Sequence, residues 1–364
     1  MRYTISGTVV LLVCSVSLSA QWGKFQAPGV PRDAKGQVRM DGPAPRTADG
    51  KPDLQGVWAN NSVTPMTRPT QWKDKTEITQ AELKELQELV AKNAQDGGDA
   101  IFADFIQLAL NTKEKGKFDQ TSYDPTTGNY NQFWMADREW DTRTSLIIDP
   151  QNGTMPPLTP EGEKRRVGSG RGFAAGPQTP QPRRPAGPED LPLGERCLTF
   201  GAPRTGAGYN SYVQIIQSPE TVVLLQEMAH DARMVPITSK ATLPSNVRQW
   251  LGKPNGRWEG DTLVVETTNY LQGFMGSTPD VKVTERYTRV AADWINWVIT
   301  VDDPKTWTQP WSFMIRLKKS DDQVYEYACH EGNHSMIGIL AGARKEDAKE
   351  EAAANAKKTG QQQP

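Results

Sequence analysis

The last third of the chain alternates apolar and polar positions with a period of two, and that spacing commits it to β-strands. Ile295, Trp297, Ile299 and Val301 share one face, and Trp311, Phe313, Ile315 and Leu317 share another, with mostly polar residues between. A helix brings together residues three and four apart, so neither set can line one helical face. Similar runs predict strands at 144–149, 212–217, 221–227, 262–268, 282–290 and 324–329, and a first packed element opening at Leu54. Ser218-Pro219, Asn255-Gly256 and Gly260-Asp261 read as the turns between them. Strands this close in sequence predict a mainly β, antiparallel meander. An open meander leaves edge strands exposed, so closure into a barrel is expected.

Two helical pieces interrupt that pattern. Thr79 and Glu82 form a capping box, Ile78 and Leu83 can make the accompanying hydrophobic staple, and Leu83, Leu86, Leu89 and Val90 form one apolar stripe. A second helix is expected from about Asp99 to Leu110, paired with the first across Gly97-Gly98, so that 73–111 forms a helical hairpin insertion. Residues 164–188, with Arg-Arg, Gly-Ser-Gly and repeated Pro, read as a flexible loop. Residues 344–364 read as a charged helical tail that frays into Gln and Pro. The expectation is a single domain over 51–343.

At the other end, Arg2, the apolar run 9–16 and the small residues Ser17, Ser19 and Ala20 read as a secretory signal peptide over 1–20, with an extended lead-in over 21–50. The apolar run is too short to span a bilayer, so no transmembrane segment is expected after cleavage. Cys14 leaves with the leader. Cys197 and Cys329 remain, and in an exported, oxidising setting (periplasmic or secreted) they are expected to pair. The competing reading is a reactive thiol at Cys329 beside His330. A formal net charge of −1 gives no electrostatic case for nucleic acid as a partner. Eleven Trp can line a ligand cavity or fill a core, and the apolar faces favour core.

The run His330-Glu331-Gly332-Asn333-His334 spells the H-E-x-x-H of zinc proteases. That motif works only on a helix, which sets both imidazoles on one face. Here a strand-like run precedes it and Gly332-Asn333 lies inside it, so a strand followed by a turn is expected instead. A different metal geometry that uses His330 stays open beside the structural turn.

These runs, together with Arg46-Thr-Ala-Asp-Gly-Lys-Pro-Asp-Leu54, Gln226-Glu-Met-Ala-His-Asp-Ala-Arg233 and Arg257-Trp-Glu-Gly-Asp-Thr-Leu-Val-Val265, resemble a large uncharacterised family of exported bacterial proteins. The resemblance runs from Arg46 to Arg344 and brings no activity with it. In that family the position of His334 is typically Tyr while Cys-His-Glu-Gly-Asn recurs, which makes the second histidine of the motif incidental. Gly56-Val57-Trp58 further resembles the opening strand of lipocalin-like barrels, whose Trp closes one end.

Two His-acid pairs, His230-Asp231 and His330-Glu331, fall at the ends of expected strands. Converging at a barrel mouth, they would offer His230 and His330 to a divalent metal, or an acid and a base to a substrate. Arg143 and Arg233 are candidates to pair with a ligand anion. Glu266, Glu285 and Trp297 are candidates to line a cavity. There is no phosphate loop, dinucleotide fingerprint or nucleophile elbow. The leading expectation is an exported β-barrel that binds a small-molecule ligand. A hydrolase or lyase centred on His230, Asp231, His330 and Glu331 comes second, and a structural envelope protein third.

Overall fold

A computed structural model describes residues 34, 44–95, 105–116, 138–168, 184–237 and 243–360. The leader, most of the lead-in, the Gly97-Gly98 break and most of the 164–188 loop lie outside the described residues. Ten strands form one sheet: β1 (Gly56–Ala59), β2 (Ile147–Asp149), β3 (Tyr212–Gln217), β4 (Thr221–Gln226), β5 (Ala232–Pro236), β6 (Lys253–Glu259), β7 (Thr262–Thr268), β8 (Lys282–Arg289), β9 (Trp294–Asp302) and β10 (Trp311–Ser320). Their order is β5-β4-β3-β1-β10-β9-β8-β7-β6, with β2 added to β10, and every ladder is antiparallel. The expected meander is therefore present in two runs, with the first strand inserted between them.

Closure differs from expectation. The path ends at β5 and β6, and no backbone ladder joins them among the described residues. Pro236 in β5 and Pro254 in β6 have no N–H to give to such a ladder. Asn255-Gly256, expected as a turn, lies inside β6 opposite Glu266 and Val265. A Cβ at Gly256 would stand 2.8 Å from Val235 Cγ1 and 2.7 Å from Ile237 Cδ1, so only glycine lets β6 come this close to the chain around β5. The stretch 324–329, expected as a strand, forms no ladder and runs as irregular chain into a turn.

The concave face carries the core. Trp58, Ile215, Leu224, Leu263, Ile295, Ile299, Trp311, Phe313, Ile315 and Leu317 are fully buried, and each such side chain contributes about 1.5–3 kcal/mol by leaving water. Trp58 donates its indole N–H to Leu54 O at 2.8 Å, and Arg289 lies over its ring at 5.2 Å. Trp58, Trp297, Trp307 and Trp311 are core, whereas Trp250 is half exposed.

One ion pair crosses this face. Arg233 of β5 grips Glu285 of β8 with both terminal nitrogens, Nη1 to Oε1 at 3.1 Å and Nη2 to Oε2. Tyr287 donates to the same Oε1 at 2.7 Å. Burial opposes the Arg233 charge, but the Glu285 carboxylate more than offsets that and raises the guanidinium pKa above its ordinary value. Burial and then the Glu285 charge push the Tyr287 hydroxyl well up, so it remains a donor.

On the outside, α1 (Gln80–Gln95) and α2 (Phe105–Lys115) pair over a second core built from Val63, Ile78, Leu83, Leu86, Ile106, Ala109 and Leu110. The capping box forms as expected: Thr79 N–H donates to Glu82 Oε2 at 2.8 Å, and Glu82 N–H donates to Thr79 Oγ1 at 3.2 Å. The helix α3 spans Pro160–Gly168. The last helix, α4 (His334–Gly360), begins ten residues before the expected tail. Gly338 and Gly342 weaken its sequence signal without breaking it. Among the described residues no helix is long and apolar enough to cross a membrane.

Removing one partner of the buried pair strands the other charge, so Glu285→Ala is expected to cost about 3–5 kcal/mol. Replacing both partners, as in Arg233→Met with Glu285→Leu, is expected to cost much less. Denaturant unfolding of the two variants against wild type checks this; equal losses for the single and double changes would show that the pair does not act as a unit.

Candidate functional site

Three irregular segments cover the end of the sheet where β3 begins and β4 ends. They are residues 194–211, the turn 227–231 and the run 323–333. The Cys197–Cys329 disulfide links the first to the third, with Cα atoms 5.6 Å apart, which bears out the expected pairing. Asp231 holds the first to the second: its Oδ2 accepts from Thr199 Oγ1 at 2.6 Å and from Phe200 N–H at 3.4 Å. His230 Nε2 accepts the Tyr327 N–H at 2.8 Å, and Glu227 Oε1 accepts the Tyr325 N–H at 3.3 Å, so the second also holds the third. The Tyr327 ring meets Phe200 and Tyr209 edge-on at 5.9 and 6.5 Å.

This cap is strained. Cys197, Asn210, Ala229 and His230 all have φ between 42° and 59°, the left-handed region, and none is glycine. Each such residue costs on the order of 1–3 kcal/mol, and strain of this kind persists only where the surroundings enforce it.

Beneath the cap lies a narrow cleft with enclosed room for about one water molecule. Its walls include Asn60, Arg204, Tyr212, Gln226, Tyr287 and Trp297. Four of these present a buried polar atom with no hydrogen-bond partner: Asn60 Oδ1, Gln226 Oε1, Trp297 Nε1 and Arg204 Nε. Asn60, Gln226 and Trp297 are 3, 5 and 3% exposed, so bulk water does not reach them freely. The Asn60 amide is fixed, because its Nδ2 donates to Thr205 O at 2.9 Å and Gly206 O at 3.2 Å. Trp297 is held flat against Tyr287, with ring centroids 5.5 Å apart. Arg204 donates from Nη2 to Tyr209 O at 3.2 Å and stacks over Phe200 at 5.7 Å. Among the described residues it makes no ion pair.

Of the residues singled out by sequence, Trp297 lines this cleft. His230 and Asp231 belong to the cap, where His230 Nε2 and Asp231 Oδ2 are already engaged. His330 and Glu331 sit exposed on the outer turn, and no hydrogen bond or ion pair joins them to His230 or Asp231 among the described residues. What meets His230 is Tyr327. His330 and Glu331 lie in the turn and His334 starts α4, so the H-E-x-x-H run does not present one helical face. Among the described residues no cluster of three or more His, Cys, Asp or Glu has metal-holding geometry.

The remaining candidates lie elsewhere. Arg143 binds Asp141 Oδ2 at 2.6 Å and Met314 O at 3.0 Å, stitching a loop to β10. Arg233 is spent on Glu285, itself a candidate. Glu266 alternates with the inward Val265 and Thr267 and so points to the opposite face. Asn60, Arg204 and Gln226 escaped sequence reasoning. A signal existed for one of them, since Gln226 stands in register with the core residues Val222 and Leu224 on the inward face of β4.

No protein-family model, no curated protein and no solved structure matches this chain.

Burial raises the Glu227 and Asp231 carboxyls above the ordinary carboxylate range, against the lowering effect of the N–H and Thr199 hydrogen bonds. A carboxyl whose folded pKa is raised favours the fold below its unfolded pKa, and that contribution is lost as pH rises through the folded value. Cap packing is therefore expected to loosen as pH climbs out of the ordinary carboxylate range. Hydrogen exchange at the Tyr325 and Phe200 amides, in wild type against Glu227→Gln/Asp231→Asn, measures it. An unchanged pH profile in the double variant would refute the assignment.

The disulfide closes a separation of 132 residues, worth roughly 5 kcal/mol in the chain-entropy treatment. Thiol titration of the denatured, unreduced protein should find neither Cys197 nor Cys329 free. Cys329→Ser should lower the melting temperature and speed proteolysis within 323–333.

Proposed function

We propose that this protein is an exported binding protein whose sheet serves as a barrel-like container and whose capped cleft holds a small polar ligand. The observation that carries the reading is the convergence of two unpartnered donors, Trp297 Nε1 and Arg204 Nε, with two unpartnered acceptors, Asn60 Oδ1 and Gln226 Oε1. Buried polar groups are nearly always satisfied, and leaving one unsatisfied costs about 1–3 kcal/mol. Four facing one space constitute a site that something polar fills.

The strained, disulfide-fastened cap supports the same reading, because it holds Arg204 and Asn60's partners in place before a ligand arrives. Export is supported by the leader-like start and by the disulfide. The approach of β6 to β5 at Gly256 supports the container: the seam lacks a ladder, yet Val235 and Ile237 fill it. The likeness to the exported bacterial family carries no ligand with it, so the site alone defines the chemistry.

Two donors and two acceptors also complement a single ordered water, and the test must separate the two. Native mass spectrometry of protein isolated without denaturation is expected to show a small-molecule adduct that denaturation releases. Trp297→Phe removes one donor and Asn60→Leu one acceptor; each is expected to lower occupancy by roughly tenfold, the worth of one hydrogen bond. An adduct that survives both changes lies elsewhere and refutes the site. An adduct-free wild type whose melting temperature no metabolite raises would leave an ordered water as the occupant and overturn the binding reading.

A further inference from the structure

Among the residues that line the cleft, Arg204 carries the positive charge. Arg233 has Glu285 and Arg143 has Asp141; Arg68 and Arg289 are surrounded by carbonyl or hydroxyl oxygens. Among the described residues Arg204 has one carbonyl, an aromatic face and no carboxylate at hydrogen-bond distance. Burial accordingly lowers its pKa, with only longer-range help from Tyr327, Glu227 and Asp231. A guanidinium partly removed from water whose counter-charges act only at longer range keeps its fork free for a direct anion.

We infer that the ligand of the proposed cleft is a small hydroxycarboxylate monoanion, its carboxylate on the Arg204 fork and its hydroxyl among Trp297, Asn60 and Gln226. This rests on the binding reading above and adds the ligand's chemical class. Depth orders the two groups. Asn60, Gln226 and Trp297 are buried, whereas Arg204 is half-buried and stands nearer solvent. The enclosed space takes a group the size of a water, and a hydroxyl both donates and accepts, as Asn60 or Gln226 and Trp297 require. The planar fork of Arg204 presents Nε and a terminal nitrogen side by side, which matches the two oxygens of a carboxylate. Charge restricts the class further. Glu227 and Asp231 lie within electrostatic reach of Arg204. A phosphate dianion would bring two negative charges toward them and a monoanion only one, so the monoanion meets less repulsion.

The test uses four probes that differ in one property at a time. Glycolate carries both groups, acetate lacks the hydroxyl, glycolamide lacks the charge, and inorganic phosphate carries too much of it. The readout is the Trp297 indole N–H resonance in protein labelled with nitrogen-15 at tryptophan, assigned by its disappearance in Trp297→Phe. Glycolate is expected to shift that resonance saturably, at least tenfold more tightly than acetate, glycolamide or phosphate. Arg204→Gln is expected to weaken glycolate by roughly tenfold to a hundredfold, the worth of a charge-assisted pair, and to leave glycolamide unchanged. Arg204→Lys, which keeps the charge and loses the fork, should fall between. An unchanged Cys197–Cys329 bond and melting temperature in each variant show that the fold is intact.

If glycolamide binds as well as glycolate, the anion inference fails and the cleft reading survives. Tighter binding of phosphate overturns the monoanion and keeps the arginine. If glycolate shifts the resonance equally in Arg204→Gln, the charge is read elsewhere and the assignment to Arg204 is wrong. If no probe moves the Trp297 signal up to its solubility limit, the hydroxycarboxylate class is excluded, and the adduct measurement alone then decides whether the cleft binds anything.

Discussion

The Arg233–Glu285 pair does the work that a strand ladder would otherwise do. The hydrogen-bonded path of the sheet stops at β5 on one side and β6 on the other, and prolines on both sides remove donors from the seam. From β5, Arg233 reaches past β6 and β7 to β8 and binds a carboxylate with no exposure to solvent. Hydrophobic contact at Val235, Ile237 and Gly256 brings the terminal strands close, but apolar contact has no register. A bidentate ion pair fixes position in two dimensions. It also carries a penalty, because two charges leave water, so its value lies in specifying the curvature more than in net stability.

That curvature sets the cleft. Bending the sheet brings Trp297 of β9 and Tyr287 of β8 opposite Gln226 of β4, strands that lie far apart along the ladder. The segments that would have to seal this end are too irregular to do so with backbone hydrogen bonds. A disulfide, an Asp231 clamp and a histidine accepting one amide replace those bonds. Holding His230 and Ala229 left-handed is the conformational cost of aiming the imidazole at Tyr327 N–H.

The sequence was most legible where one rule acted alone. Seven of the expected strand positions follow directly from alternation, because each of those strands has one buried face. The capping box at Thr79 and Glu82 needs only local chemistry and formed as expected. Legibility failed where tertiary contact overrode local preference. Asn255-Gly256 carries a turn signature, yet its glycine serves close strand approach. The alternating run 324–329 joins no ladder and donates its Tyr325 and Tyr327 N–H groups to Glu227 and His230 instead. At the site, Trp297 was legible as an aromatic on an inward face. Arg204 was not, since a loop arginine between glycines has no pattern that reveals whether a carboxylate waits for it.

The two histidine motifs show why composition misleads about chemistry here. His330 and Glu331 have the residue types of a catalytic pair but lie exposed beside a disulfide whose anchoring the turn serves. His230 and Asp231 lack the freedom, since each already accepts hydrogen bonds that hold the cap. The groups left with unused capacity around the cleft are an amide oxygen on a fixed asparagine, a glutamine on a core face, an indole N–H and the Nε of Arg204. A protein of this kind is stable by only about 5–15 kcal/mol. Four stranded groups at about 1–3 kcal/mol each would rival that margin if left empty. An occupant that satisfied them would stabilise the folded cap in proportion to the logarithm of its concentration.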